Sequence, residues 1–214
     1  MSANASTRMV YIMDPLCSWC WGFSPVFEAL SALAVKQGVA VEWVAGGLRQ
    51  EQRPMDDAGR ARTLGYWQQV HQSTGQPFDL ANGLPDRFVY NTEPVCRALV
   101  VARQLDATRV ADLVRRIQSA FYEQRQDVTR ADVLLELVEQ AGLSKQKFAL
   151  AFDTDTAHAA TAADKQWAEN LGISGFPTVL VQHNGLWALL TNGYQPLATL
   201  QPLLVRWMEQ NLNA

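Results

Sequence analysis

Apolar and polar positions follow two different periods along this chain. Residues Met9-Val10-Tyr11-Ile12-Met13 form an unbroken apolar run, the mark of a strand buried on both faces of a sheet. Asp14-Pro15 ends it. Cys17-Ser18-Trp19-Cys20-Trp21-Gly22-Phe23-Ser24-Pro25 follows and leads into a stretch where Val26, Phe27, Leu30, Leu33 and Ala34 recur at helical spacing, stopped by Gly38. Pro25 either kinks this helix or opens its regular part with Ser24 as the cap. Val39 to Val44 read as a second strand, closed by Gly46-Gly47. The chain therefore opens as strand, helix, strand, with two cysteines where the first strand meets the helix.

From residue 56 to residue 153 the period is helical. Val110, Leu113, Val114, Ile117 and Phe121 form one apolar stripe, and Val133, Leu134, Leu137 and Val138 another, with Thr129 as its cap and Gly142 as its stop. Ser144 caps a short helix around Phe148 and Phe152. Gln76 to Asn91 is a loop containing Pro and Gly, and Thr92-Glu93-Pro94 starts a helix running to about Leu105. Strand patterns return after a helix that contains Trp167 and Leu171 and ends at Gly172. Thr178 to Gln182 and Leu186 to Leu190 are strands joined by the hairpin signal His183-Asn184-Gly185, and Asn192-Gly193 is a turn. Pro196 to Leu212 closes the chain as an amphipathic helix with Leu200, Leu203, Leu204 and Trp207 inward. The pattern predicts an α/β fold in which a discontinuous domain, residues 8–55 and 154–212, is interrupted by an all-helical insertion, residues 56–153, after a flexible N-terminus, residues 1–7.

Composition narrows the function. The 214 residues are 48% hydrophobic and 18% charged, ordinary for a globular chain that buries a core without disulfide staples. A net charge of −3 argues against a basic nucleic-acid surface. Apolar runs of about five residues are far short of the roughly 20 that a membrane span needs. The first eight residues, Met1 to Arg8, lack the layout of a secretory signal, so a cytoplasmic location is expected. In that reducing compartment cysteines close in sequence serve chemistry or a metal rather than a structural framework.

Cys17 and Cys20 carry the sharpest chemistry. Two cysteines three apart at a helix N-terminus close a small disulfide loop, while unpaired backbone N–H groups and the positive end of the helix dipole stabilise a thiolate, the nucleophile of disulfide exchange. On this logic Cys17 attacks, and Cys20, one turn into the helix, resolves the mixed disulfide. The competing use is half of a zinc site, but zinc wants four ligands. Only Cys96 and three scattered histidines, His71, His158 and His183, remain, with no second pair at ligand spacing. No metal is expected. Phe176-Pro177 is a second feature: a trans proline entering a strand, or a cis bond that exposes the backbone of residue 176 to an extended substrate strand.

Together, the element order, Asp14-Pro15-Leu16-Cys17-Ser18-Trp19-Cys20-Trp21-Gly22-Phe23 and Gly172-Ile173-Ser174-Gly175-Phe176-Pro177-Thr178 resemble the DsbA-like branch of the thioredoxin superfamily, over about Arg8 to Leu212. The first motif is similar to cytoplasmic protein-disulfide isomerases of that branch, relatives of the FrnE-like dithiol oxidoreductases. The resemblance implies a thioredoxin fold with a helical insertion and a redox-active Cys17–Cys20 disulfide. It also implies Pro177 as a cis-proline beside the pair, with no further cofactor required. Ser18 and Trp19 stand where many oxidising relatives carry Pro or His, and this dipeptide tunes thiolate stability. Tyr11 occupies the place of a buried carboxylate in thioredoxin-like relatives, leaving Asp14, Tyr11 itself or water as proton acceptor. Phe176 replaces a smaller residue and makes the groove more apolar.

Asn91-Thr92-Glu93-Pro94 resembles the Asn-Thr helix start that kappa-class glutathione transferases and 2-hydroxychromene-2-carboxylate isomerases place near their site, so glutathione is a credible ligand or reductant. A glutathione-dependent transferase or isomerase is thus the first alternative, and a redox-sensing, peptide-binding chaperone module the second. The leading expectation is a thiol–disulfide oxidoreductase or protein-disulfide isomerase that acts on thiol- or disulfide-containing proteins and peptides. In it Phe176, Pro177, Ser18 and Trp19 position the substrate. Cys96, on an apolar helix face, reads as a buried inert thiol, and Glu42, in an apolar strand, as either a buried acid or an edge residue. The chain is expected to be a monomer or a homodimer.

Overall fold

The computed structural model describes residues 7–212. The expected flexible N-terminus therefore lies outside the described residues, apart from Thr7. A four-stranded mixed sheet is built from β1 (Arg8–Met13), β2 (Ala40–Ala45), β3 (Thr178–His183) and β4 (Leu186–Asn192), in the order β2-β1-β3-β4. β1 runs parallel to β2 and antiparallel to β3, and β4 is antiparallel to β3. The parallel pair needs a crossover, supplied by α1 (Ser18–Lys36), while the antiparallel pair closes through a tight turn with positive φ at Asn184 and Gly185.

Period-2 alternation in the strands divides the sheet between two cores. Met9, Tyr11, Met13, Val179 and Val181 face the larger apolar cluster, which includes Phe23, Phe27 and Leu30 of α1 and Leu200, Leu204 and Met208 of α8 (Leu197–Leu212). Val10, Ile12, Val44 and Leu180 face a smaller cluster with Ala168 and Trp167, on a helix that spans Asp155–Asn170. In the closing helix Met208 is buried, whereas Leu203, expected inward, is exposed. It lies on the flank opposite the Leu200–Leu204–Met208 stripe.

Between β2 and β3, apart from an isolated bridge between Gln50 and Asn91, the described chain is helical: α2 (Asp57–Thr74), α3 (Glu93–Asp106), a single 3-10 turn, α4 (Val110–Tyr122), α5 (Ala131–Gln140), α6 (Lys145–Phe152) and α7 (Asp155–Asn170). α3 is the axis of this region, with every residue from Val95 to Ala102 buried. Among them is Arg97, whose guanidinium donates to Glu93, to Asp153 and to the Phe152 carbonyl and lies 4.0 Å from the Phe152 ring centroid. Arg97→Ala removes a desolvated cation that ties α3 to the end of α6, and we expect urea unfolding to report a loss of about 2–3 kcal/mol.

Two local expectations change. α5 is capped at Arg130, not Thr129; the Thr129 hydroxyl donates instead to Asp127, closing a turn that leaves it one residue early. α1 begins at Ser18, so Pro25 sits inside it rather than opening it. Proline has no N–H for the carbonyl one turn earlier, and that carbonyl, Trp21 O, accepts from Ser24 Oγ at 2.8 Å and Gln76 Nε2 at 2.9 Å. Ser24 is thus a surrogate donor, not a cap.

Candidate active site

The site lies where β1 ends and α1 begins. Asp14 makes the corner: its carbonyl accepts from Cys17 N at 3.0 Å, and its Oδ1 accepts from Leu16 N at 2.8 Å. This turn sets Cys17 at the N-cap of α1 with extended backbone (φ −81, ψ 114) and no side-chain cap, so the first-turn N–H groups are left facing the sulfur. Cys17 Sγ lies 3.6 Å from the Phe176 carbonyl oxygen, across from the strand that enters β3. The Phe176–Pro177 peptide bond is cis. Pro177 is held in turn by its carbonyl, which accepts from Gly193 N at 2.7 Å, and Thr178 Oγ1 donates to Gly175 O at 2.8 Å.

Cys20 sits one turn along α1 and is fully enclosed, against 6% exposure for Cys17. Burial pushes its thiol pKa well up, reinforced by Cys17 and by the charge of Asp14. Both cysteines are free thiols. Both cysteines are buried, but Cys17 at the helix start keeps a little exposure that Cys20 lacks, an order that suits a two-step exchange in which the first sulfur meets the substrate and the second is reached through it.

The other residues singled out from sequence divide into two layers. Trp19 is half-buried, its ring 5.9 Å from that of Tyr194, an aromatic pair two residues along α1 from Cys17. Ser18 is half-buried at the first position of α1. Tyr11 lies beneath the cysteines, stacked on Phe27 at 3.9 Å; its hydroxyl has no hydrogen-bond partner among the described residues, and burial raises its pKa well above the ordinary value. Among the described residues no hydrogen bond joins Asn91 or Thr92 to Cys17 or Cys20, and the Thr92 side chain faces the Asp14 carboxyl and the Cys96 thiol instead. Asn91 Oδ1 accepts from Glu93 N at 3.1 Å, and Thr92 N donates to Arg49 O at 2.9 Å, lacing the start of α3 to the loop after β2.

Asp14 joins the two layers. Its Oδ2 accepts from Leu48 N at 2.6 Å and from Cys96 Sγ at 3.5 Å, and burial raises its pKa. Cys96 is enclosed, its thiol pushed well up by burial and by Asp14, which fits an inert thiol. Because the folded pKa of Asp14 exceeds its ordinary 3.8, its contribution to stability is fully present at acid pH and is lost as pH rises through the folded value. We expect the stability difference between wild type and Asp14→Asn, from urea unfolding at a series of pH values, to move in favour of the variant as pH rises.

Two groups at the site had no signal of their own in the sequence. Gly46 read only as the end of β2, yet a Cβ there would lie 2.1 Å from the Phe176 ring, so the absence of a side chain is what seats that ring. Tyr194 stands just after the Asn192-Gly193 turn and belongs to no motif. His71, His158 and His183 are away from the sulfurs; His158 Nδ1 lies 3.1 Å from Glu93 and His183 Nδ1 2.7 Å from Thr7. Glu42 is on edge strand β2 and pairs with Arg8 at 2.8 Å. A cavity of about 420 Å³ opens next to this layer, lined by Arg49, Thr92, Cys96, His158 and Lys165.

A match to the family model of the DSBA-like thioredoxin domain runs from residue 10 to residue 205, spanning the site and the helical insertion alike. The chain belongs to the DsbA-like thioredoxin family. Among solved structures it is similar to a "putative protein disulfide isomerase" from Nitrosomonas europaea, at 36% identity and a TM-score of 0.88, covering 96% of this chain and 98% of that one. It is also similar to the cytosolic disulfide reductase DsbM from Pseudomonas aeruginosa, at 29% identity and a TM-score of 0.77, over 96% and 98% of the two chains. A curated relative, the ClpXP adapter protein SpxH of Halalkalibacterium halodurans, is 22% identical over 172 residues, or 78% of this chain; the match spans about half, 55%, of that protein's length. Membership makes the general class a DsbA-like oxidoreductase enzyme with a thioredoxin fold and a helical insertion.

Proposed function

We propose that this DsbA-like protein is a cytoplasmic thiol–disulfide oxidoreductase that works through the Cys17–Cys20 pair, with protein-disulfide isomerisation within its reach. The observation that carries the reading is the unequal pair: Cys17 at an uncapped helix start, 3.6 Å from the Phe176 carbonyl, and Cys20 enclosed one turn behind it. The Cys17 thiolate attacks one sulfur of a substrate disulfide. The S–S bond breaks, the leaving sulfur departs as a thiolate and takes up a proton, and Cys17 is left in a mixed disulfide. Cys20 then gives up its proton, attacks Cys17 Sγ and releases the second substrate thiol. The protein dithiol is oxidised to a disulfide and the substrate reduced to two thiols; the reverse sequence oxidises a substrate dithiol. No metal or nucleotide enters the scheme.

The Phe176 carbonyl facing Cys17 Sγ across the cis Phe176–Pro177 bond, with the Trp19–Tyr194 aromatic pair, supports an extended peptide as substrate. The DsbM likeness supports the cytoplasmic assignment, and no helix among the described residues is long and apolar enough to cross a membrane. Glutathione is the second substrate we assign, as reductant or ligand. The 420 Å³ cavity carries both charge signs, Arg49 and Lys165 with Glu93 and Glu169, a set that suits the carboxylates and the ammonium of glutathione, and DsbM has also been solved with GSH, a structure 26% identical to this chain with a TM-score of 0.73.

A glutathione redox titration tests the reading, with alkylation and mass measurement of each cysteine. A reversible two-electron couple confined to Cys17 and Cys20 is expected. Absence of that disulfide, or a stable glutathione adduct on Cys17, overturns it in favour of a glutathione-dependent transferase or isomerase. Peptide binding without turnover would point to a chaperone module.

A further inference from the structure

The second step of the exchange needs an exit for a proton. Cys20 has to lose its thiol proton as it attacks Cys17 Sγ, yet Cys20 is fully enclosed and burial favours the protonated form. During that step the substrate occupies the groove side of Cys17. Asp14, the acid closest in sequence, has both carboxyl oxygens engaged, by Leu16 N, Leu48 N and Cys96 Sγ.

A second cavity, of about 770 Å³, lies between α1 and α4, and its lining includes Cys20 but not Cys17. Tyr11 of β1 and Gln118 of α4 line it as well, and the exposed Glu28 and Glu123 stand where it meets solvent. Both inner side chains are buried polar groups without a protein partner. The Tyr11 hydroxyl is one; Gln118, 0% exposed, bonds no described residue through either Oε1 or Nε2. Tyr11 is pinned, its ring stacked on Phe27 at 3.9 Å and edge-on to Trp43 at 5.1 Å, so the hydroxyl has no other place to turn. Buried polar atoms in native proteins are paired with protein or with water, and a roomy cavity that offers several donors and acceptors holds water. Burial, and then the charge of Cys20, raise the Tyr11 pKa, which sets the phenol within electrostatic reach of the thiol and keeps it a donor. At the rim Arg115 is paired with Asp112 at 2.6 Å, so the carboxylates of Glu28 and Glu123 set the local field and favour a departing cation.

We propose that the α1–α4 cavity is the proton exit of the resolving thiol, a hydrated path from Cys20 past the Tyr11 hydroxyl and the Gln118 amide to the surface at Glu28 and Glu123. The inference rests on the dithiol reading and gives one of its protons a route. As Cys20 Sγ bonds to Cys17 Sγ, the Cys20 proton passes to cavity water and out to solvent. The bond between Cys17 and the substrate sulfur breaks, and that sulfur leaves with the electron pair and takes a proton on the groove side. One proton leaves and one enters, with no further oxidant or reductant. Tyr11 donates a hydrogen bond to the thiolate as it forms. Gln118 is a positioning residue, orienting the water with a donor and an acceptor from one amide.

Single-turnover exchange with an oxidised peptide, quenched in acid and read by mass, separates formation of the mixed disulfide on Cys17 from its decay. In Tyr11→Phe and in Gln118→Leu, decay should slow by roughly tenfold or more while formation keeps its wild-type rate. Decay should also slow more in D2O than it does in wild type, because proton removal becomes the slow event. Looser packing alone would not carry that isotope signature. Far-UV circular dichroism should not change, since each substitution removes atoms that make no protein bond; Tyr11→Phe, which keeps the ring, carries the test if Gln118→Leu does not fold. Decay at the wild-type rate in the variants overturns the proposal, as does equal slowing of both steps. An enlarged isotope effect found in Asp14→Asn and in neither variant routes the proton through Asp14 and also overturns it. The glutathione titration keeps the two readings apart: without a Cys17–Cys20 couple the dithiol reading itself fails, whereas a normal couple with unaltered decay defeats the proton exit alone.

Discussion

Cys17→Ser is expected to abolish disulfide exchange, by roughly a thousandfold or more in turnover with a model disulfide protein, while leaving the fold in place. The reason is chemical rather than steric. A mixed disulfide forms only from sulfur, and Ser at the N-cap of α1 is a favourable cap where Cys17 makes no side-chain cap bond. Stability should therefore hold or rise slightly as activity vanishes. Cys20→Ser should behave differently: the first step proceeds, the second has no nucleophile, and substrate accumulates covalently on Cys17. Mass spectrometry after incubation with an oxidised peptide distinguishes the two variants directly. An active Cys17→Ser variant, or a Cys20→Ser variant that accumulates nothing on Cys17, would contradict the assignment of roles.

Gly46→Ala is expected to have the second largest effect. Its new methyl group would lie 2.1 Å from the Phe176 ring, far inside contact distance, so the ring or the backbone beside it must move. Overpacking of this kind typically costs about 1–3 kcal/mol. Here the displaced residue is the one whose carbonyl faces Cys17 Sγ, so exchange should slow by roughly tenfold or more as stability falls. A double-mutant cycle gives the discriminating test. In a Phe176→Ala background the added methyl has room, and Gly46→Ala should then cost little; equal costs in both backgrounds would mean that the ring is not what Gly46 accommodates.

These two predictions also mark where sequence reading succeeds and where it stops. Cys17 and Cys20 were legible because their chemistry is local: spacing, a preceding strand and a following helix are all encoded within a dozen residues. The succession of strands and helices along the chain followed from periods and turn residues, and the helical insertion from two apolar stripes and their caps. Gly46 was not legible, since its role comes from a ring 130 positions away that meets it only after β1 and β3 have paired. Tyr194 is the same case, joined to Trp19 by the hairpin. Asp14 lay in view beside the cysteine motif, but its bonds to Leu48 and Cys96 cross 34 and 82 residues of chain. Asn91 and Thr92 matched a motif yet stand a layer back from the sulfurs, because the start of α3 ties to the Arg49 loop. Thr129 was misread for a smaller reason: Asp127 competes for its hydroxyl.

Pro25 gives the helical insertion a mechanical connection to the dithiol. The carbonyl that this proline leaves free belongs to Trp21, the residue directly after Cys20, and Gln76 reaches it from the loop that follows α2. The indole of the same tryptophan donates to Pro77 O at 2.8 Å, so main chain and side chain of Trp21 grip adjacent residues of that loop. The loop is therefore fastened to the turn of α1 that carries both sulfurs, since Trp21 directly follows Cys20 and its N–H donates to Cys17 O at 3.1 Å.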